Sequence, residues 1–247
     1  MTGPGDALLE VEHLAKRFGG VTAVDDCSFT VEAGTITALI GPNGSGKTTV
    51  FNLITGYLRA DSGRISFGGR TYARPDPAAL YRRGLSRTFQ QARVFPELTV
   101  LDNLIVAAGH RWRALFGPRH SRADVERAGG LLDEFGLAGH ADEPARELSY
   151  GQRKLLEFAS VLMSEPRLIL LDEPTAGVNP VLIEAMERHV RGRHASGVTF
   201  LIVEHDMNLV MRLCDPVIVL DRGTRIAAGP PDAVRADPAV LDAYLGG

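Results

Sequence analysis

The sequence predicts an α/β fold built on a parallel sheet with helices on both faces. Three observations carry that expectation. Leu168 to Leu171, Val198 to Val203 and Pro216 to Leu220 are near-continuous apolar runs that alternate with helix patterns, as strands buried on both faces require. A strand pattern at 35–40 runs through a glycine-rich loop into a helix pattern at 47–56. The chain has 247 residues, 45% hydrophobic and 23% charged, which fits a globular protein with its own core and excludes a disordered one.

The elements follow in order. Residues 1–7 read as a flexible tail. Leu8 to His13 alternates like a strand, and Ser28 to Val31 and Thr35 to Ile40 are strands separated by the turn 32–34. Residues 47–56 read as a helix stopped near Gly56, and 64–67 as a strand before Gly68-Gly69. These strands and the first helix are expected to form one N-terminal α/β unit. From 92 to 165 the pattern turns helical. Thr99 to Asp102 is a helix-start box, with Leu101, Leu104, Ile105 and Ala108 at helical spacing behind it. Helices are expected at 124–135 and 152–163, the latter with Leu155, Leu156, Ala159 and Leu162 on one face. Then come a strand at 168–171, a helix near 181–194, a strand at 198–203 and a helix near 206–213. Strands at 216–220 and 224–228 and a helical tail at 232–245 complete the chain.

Charge and cysteine usage narrow the function classes. The count of 27 basic against 30 acidic residues, net −3, does not suit a protein built around a nucleic-acid footprint. Lysine occurs only at 16, 47 and 154, so a lysine at a motif position stands out. Cys27 and Cys214 sit in or beside apolar segments and read as buried thiols. No apolar run approaches the roughly 18 residues of a membrane span. The N-terminus lacks a basic region followed by an apolar stretch, so no signal peptide is expected, and a membrane would be reached through a partner.

Gly41-Pro42-Asn43-Gly44-Ser45-Gly46-Lys47-Thr48 fits the phosphate-binding pattern G-x-x-x-x-G-K-[ST], between a strand and a helix. Glycines let successive backbone N–H groups turn toward a phosphate, and the helix N-terminus adds positive dipole character. Lys47 would supply a point charge to the β- and γ-phosphates, and the Thr48 hydroxyl would ligate Mg²⁺. Thr49 follows on the same turn. Leu168 to Glu173 is an apolar strand ending in two carboxylates. Asp172 is placed to help hold the Mg²⁺, and Glu173 to activate the attacking water as general base. His205, at the end of the next strand, is the candidate γ-phosphate sensor.

Between these motifs stands Leu148-Ser149-Tyr150-Gly151-Gln152. With the phosphate loop before it and the Asp-Glu strand after it, it resembles the LSGGQ signature of ATP-binding cassette (ABC) ATPases. The resemblance runs from about Leu8 to Leu245. Within it Gln90 matches the Q-loop glutamine, which implies roles in catalysis and in metal binding. Phe18 matches the aromatic that stacks on adenine, Ala176 to Asn179 the D-loop, and His205 the switch histidine. The resemblance implies a P-loop NTPase fold with a RecA-like core, an antiparallel β subdomain and a helical subdomain, so that 8–247 form a single ABC ATPase domain. It also implies a head-to-tail pair of cassettes burying two ATPs, each touching Lys47 and its loop on one chain and Ser149, Gly151 and Gln152 on the other. Tyr150 departs from the first signature glycine, Phe18 from the more frequent tyrosine, and Asn179 from the usual aspartate. The expected cofactors are ATP and Mg²⁺.

Finer details resemble the ATPase subunits of branched-chain amino-acid importers: Phe18 to Val24, Arg87 to Gln90, the tyrosine signature, Ala176 to Pro180, Glu204 to Met207 and the ending Ala243 to Gly246. That resemblance implies two transmembrane permeases, a second and different cassette, an extracytoplasmic solute-binding protein, no nucleic acid, and a place on the cytoplasmic face of the membrane. Urea or amide importers and lipid or lipopolysaccharide exporters are the alternative ABC systems; soluble ABC proteins of repair or translation are a third class. The segment 110–127 carries His110, Arg111, Arg113, Arg119, His120, Arg122 and Arg127 with Trp112, Leu115 and Phe116. It reads either as a solvated loop and helix or as a surface for anionic headgroups or permease loops. Val94, Phe95, Leu98 and Val100 read either as core alone or, as the resemblance implies, as the border of a groove for the permease coupling helix.

Overall fold

The computed structural model describes residues 6–89, 93–108 and 121–245. Two sheets organise the chain. The first is antiparallel with strand order β2-β1-β4-β5, from β1 (Ala7–Phe18), β2 (Val21–Glu32), β4 (Ser62–Phe67) and β5 (Arg70–Tyr72). The second has six strands in the order β10-β9-β3-β8-β7-β6. They are β3 (Ile36–Ile40), β6 (Leu85–Arg87), β7 (Leu168–Asp172), β8 (Thr199–Val203), β9 (Val217–Asp221) and β10 (Thr224–Gly229). All pair in parallel except β10, which closes the edge antiparallel to β9.

The central strands are mostly apolar because both faces are covered. Side chains alternate between faces at period two. Ile169, Leu171, Phe200, Ile202, Val217 and Val219 enter one core, with the long helices. Leu168, Leu170, Leu201, Val203, Ile218 and Leu220 enter the other, with the antiparallel sheet and α1 (Lys47–Ile54). Helix α1 thus lies between the sheets, burying Val50, Phe51, Leu53 and Ile54, and the phosphate loop that opens it is anchored from both sides.

The helical block comprises α3 (Val100–Ala107), α4 (Arg122–Glu134) and α5 (Tyr150–Leu162). The start at Thr99 matches the sequence signal, and α4 and α5 each begin two residues before the expected 124 and 152. Thr99 accepts from the Asp102 N–H, and Ser149 and Gln152 form a reciprocal capping box on α5. Phe135 and Phe158 meet edge to face at 5.5 Å, and Phe158 meets Phe200 of β8 at 6.5 Å, which fastens the block to the large sheet. Helices α6 (Pro180–Ala195) and α7 (Met207–Leu213) alternate with the strands, and α8 (Pro231–Ala236) and α9 (Pro238–Leu245) end the chain.

Several expectations change. The N-terminal strands do not form one unit with the first helix: β3 leaves its sequence neighbours and joins the large sheet. The first two strands run 12 residues each, through polar stretches with no clear alternation. β5, β6 and the short helix α2 (Pro77–Tyr81) were too short to leave a periodic signal. The helical tail splits at Asp237-Pro238, because proline disfavours helix in the residue before it. Strand β1 begins at Ala7, and the Asp6 carbonyl accepts from the Ala33 N–H at 2.8 Å.

Cys27 and Cys214 are buried and free. Burial pushes their thiols up to about 11 and about 12, which keeps them protonated and unreactive.

Candidate nucleotide site

The loop Gly41–Lys47 is held by its own backbone and by the turn between β9 and β10. The Ser45 N–H donates to the Pro42 carbonyl at 3.2 Å, and the Gly223 N–H donates to the Ser45 carbonyl at 3.0 Å. Gly41 has φ +149°, and a Cβ there would collide with the Leu220 carbonyl oxygen. Gly46, at φ +100°, precedes the first helical residue, where a side chain would run into the Ala23 carbonyl. Tyr244 from α9 lies against the Gly41 backbone. The Lys47 ammonium folds back onto this loop and donates to the Gly41 and Pro42 carbonyls at 2.8 and 2.9 Å. Burial lowers its pKa, and the charges of Glu173 and Asp172 oppose that shift. Thr48 is exposed at the start of α1, Thr49 half-buried.

Across from the loop are the C-terminal tips of β7 and β8. Asp172 is the last residue of β7 and is buried. Glu173 follows in a left-handed conformation, φ 47°, with its N–H donating to the Val203 carbonyl at 2.9 Å. Such a backbone costs on the order of 1 kcal/mol for a non-glycine residue; here it turns the carboxylate toward His205. Glu173 Oε1 lies 2.8 Å from His205 Nε2. Glu204 fixes this register. Its buried carboxylate accepts from the Thr175 N–H and hydroxyl through Oε1, at 3.0 and 2.5 Å. Through Oε2 it accepts from the N–H groups of His205 and Asp206, at 2.9 and 3.3 Å. One carboxylate therefore ties the loop after β7 to the loop after β8.

Arg87 is the second residue the sequence pattern did not single out. Its Nη2 donates to Asp172 Oδ2 at 2.7 Å, and both side chains are about 5% exposed or less. Its Nη1 donates to Asn52 Oδ1 at 2.7 Å and Thr55 Oγ1 at 3.1 Å. A buried carboxylate beside the phosphate loop needs a buried cation, and the Arg87-to-Gln90 motif contained it. The third is Glu157 of α5. Its Oε1 accepts from the Phe89 and Arg93 N–H groups at 3.0 and 3.2 Å, and burial pushes its carboxyl up to about 7.

Lys47, Asp172, Glu173 and His205 thus converge. Ser149, Gly151 and Gln152 do not join them. Ser149 and Gln152 cap α5, and the Gln152 side-chain amide also meets His140 at 3.0 Å. A Cβ on Gly151 would meet Leu182 Cδ2 at 2.6 Å. The Tyr150 hydroxyl donates to the Ala176 carbonyl at 3.3 Å, so the departure from glycine joins the signature to the following loop. Asn179 caps α6 by accepting from the Leu182 N–H. Phe18 ends β1 at 47% exposure, with the Lys16 ammonium 5.5 Å from its ring centre. Gln90 and residues 110–120 lie outside the described residues. Of the basic segment, Arg122 and Arg127 fall in α4 and pair with Glu126 and Glu165.

A cleft of about 1230 Å³ opens beside β6, lined in part by Tyr57, Tyr81, Phe89, Arg93, Phe95 and Val106. Phe95 is 56% exposed. Buried Asn103 holds it outward, accepting from the Phe95 N–H at 2.7 Å and donating to the Phe95 and Thr99 carbonyls at 3.0 and 2.8 Å.

The ABC transporter family model matches residues 24–176, and the model of the branched-chain amino acid ATP-binding cassette transporter family matches residues 224–247. The chain is 39% identical to the high-affinity branched-chain amino acid transport ATP-binding protein BraF of Pseudomonas aeruginosa, over 97% of this chain and 98% of that protein. This chain belongs to the ABC transporter ATP-binding family. The cassette is equally similar, at 39%, to LivG of Escherichia coli K12 and to a probable branched-chain amino acid transport ATP-binding protein of Methanocaldococcus jannaschii. Among solved structures, a nucleotide-free ATP-binding cassette superposes with TM-score 0.87 at 38% identity, covering 98% of this chain and 100% of the other. The ADP conformation of the cassette MJ1267 superposes with TM-score 0.86 at 39% identity, with the same coverage. Membership in this family makes the cassette a nucleotide-binding ATPase.

Proposed function

We propose that this cassette binds and hydrolyses ATP to power an importer of branched-chain amino acids. The observation that carries the hydrolytic reading is the Glu173–His205 pair, 2.8 Å apart, facing Lys47 and its glycine loop. The kinship with BraF and LivG along nearly the whole chain carries the solute class.

The residues divide the work. ATP phosphates replace the Gly41 and Pro42 carbonyls as partners of the Lys47 ammonium, and the N–H groups opening α1 take the remaining phosphate oxygens. Glu173 accepts a proton from water as the water oxygen attacks the γ-phosphorus and the bond to ADP breaks. His205 holds the Glu173 carboxylate in line through Nε2. Phe18 offers a face to the adenine, and Gln90 is assigned to the same site by its motif.

The donor set suits Mg²⁺. Thr48 offers a hydroxyl and Asp172 a carboxylate, both hard oxygen donors, of the kind Mg²⁺ uses beside phosphate oxygens and water. Among the described residues no group of three or more His, Cys, Asp or Glu forms a separate metal cage. When bound, the ion supplies charge neutralisation on the β- and γ-phosphates.

Ser149, Gly151 and Gln152 serve the nucleotide held by a second, different cassette paired head to tail. The transporter holds two permease subunits, one of which docks in the cleft beside β6; this puts the cassette at the cytoplasmic face of the membrane, with a solute-binding protein as an indirect partner. No helix among the described residues is long and apolar enough to cross a membrane. Tagged Glu173→Gln protein, expressed at native level and purified from membranes with ATP present, tests the reading by mass spectrometry. Recovery of two permeases and a different cassette is the expected outcome. A homodimer with lipid-handling membrane proteins overturns import, and recovery without any membrane partner overturns transport.

A further inference from the structure

One side chain joins the cleft to the carboxylate beside the phosphate loop. Arg87 ends β6, and its guanidinium is almost wholly enclosed. On one side it donates to Asp172, Asn52 and Thr55, the last two belonging to α1 and its C-cap. On the other it faces aromatic rings: its central carbon is 5.1 Å from the Phe89 ring centre, 5.5 Å from Phe51 and 5.9 Å from Tyr57. Tyr57 and Phe89 meet edge to face at 5.5 Å and both line the cleft. Tyr57 is 52% exposed there.

We propose that Arg87 is a positioning residue that transmits occupation of the cleft to Asp172, and through it to the metal-bound nucleotide. The inference rests on the proposed docking of permeases in the cleft. The guanidinium suits this task because it is planar and rigid. It donates in its plane while its faces pack on aromatic rings. A partner helix that displaces Tyr57 or Phe89 moves the same plate that holds Asp172 Oδ2. Because Nη1 is tied to Asn52 and Thr55, the displacement also bears on the helix that follows the phosphate loop. A lysine at this position could reach Asp172 but could not hold all three acceptors and face the rings.

The test uses Arg87→Lys and Tyr57→Ala, each in the isolated cassette and in the complete transporter reconstituted in lipid vesicles. The first readout is ATP affinity with and without Mg²⁺. Arg87→Lys is expected to lose about tenfold of the Mg²⁺-dependent gain, the scale of one charge-assisted hydrogen bond, while metal-free affinity stays. The second readout is the ratio of solute-stimulated to unstimulated hydrolysis. Both single variants are expected to lower it, and the double variant no further, because they interrupt one path. Permease recovery on purification is expected to persist in Arg87→Lys.

An Arg87→Lys protein with parental Mg²⁺ dependence overturns the metal end of the link. Additive losses in the double variant overturn transmission through the rings. Equal loss of metal-free binding, assembly and stimulation reduces Arg87 to a structural role. If the parental cassette recovers no permease, the docking reading falls and the cleft end with it, while the Mg²⁺ readout still judges the bond to Asp172.

Discussion

The phosphate loop and the strand tips opposite it face the same nucleotide site but are held by different means. In the loop most of the hydrogen bonds are local, with the Gly223 N–H to the Ser45 carbonyl as the long-range addition. Lys47 bonds to carbonyls five and six residues before it, and the glycines permit the backbone its path. At the tips the contacts are long-range, and each one involves a carboxylate. Arg87 and Asp172 are 85 positions apart, Glu173 and His205 are 32 apart, and Thr175 and Glu204 are 29 apart. The loop offers backbone donors along a path that its glycines permit. The tips must register two loops to within a hydrogen bond, and buried carboxylates do that work.

Substitutions at the two places are expected to fail differently. Glu173→Gln removes the proposed general base, and hydrolysis should slow by about 10²–10⁴ with ATP affinity retained. Single-turnover rates and equilibrium ATP binding, measured on one preparation, check this. Near-parental turnover would assign the base elsewhere. Lys47→Ala should act on the other parameter, weakening ATP binding by about ten- to a hundredfold, the value of a lost charged contact. Unchanged affinity would mean that the ammonium stays on the Gly41 and Pro42 carbonyls when nucleotide binds.

The same contrast explains what could be read without a structure. The glycine loop, Lys47 and the apolar strand ending at Asp172 were legible because their chemistry sits within one short window. The cap at Thr99 was legible for the same reason. The position of β3 in the large sheet was not, since local pattern carries no information about which sheet a strand joins. Glu204 and Arg87 were visible only as neighbours of His205 and Gln90, because their partners are remote in sequence. Short β6, three residues long, left no periodicity, yet it delivers Arg87 to Asp172.

Glu204→Gln tests whether registration at the tips matters beyond folding. The amide keeps one acceptor and turns an NH₂ toward N–H or O–H donors, leaving about 1–3 kcal/mol of unsatisfied polar burial. Thermal unfolding should report that loss. Turnover should fall about tenfold, a modest share of what misplacing a catalytic group can cost. In a His205→Ala background the fall should vanish, since there is no longer a partner to register. An undiminished fall there would make Glu204 a structural residue only.

The long-range wiring extends to the cleft. Glu157 ties α5 to the N–H groups of Phe89 and Arg93. Burial lifts its carboxyl from the usual 4.5 to about 7, and those N–H groups, Lys154 and Arg93 only partly offset the rise. The folded chain therefore holds this proton more tightly than the unfolded chain. Its contribution to stability is full below pH about 4.5 and declines as pH rises to about 7, where the folded group also ionises. The span corresponds to at most about 3 kcal/mol. Glu157→Gln keeps the oxygen that accepts from both N–H groups and has no proton to lose. The variant should unfold with a flatter pH dependence between 4.5 and 7, and should be the more stable protein at pH 8. An unchanged slope would place the titrating group elsewhere. A variant less stable at pH 8 would mean that Lys154 and Arg93 fully compensate the ionised carboxylate. Glu157 would then be wired as Asp172 is, by paired charge.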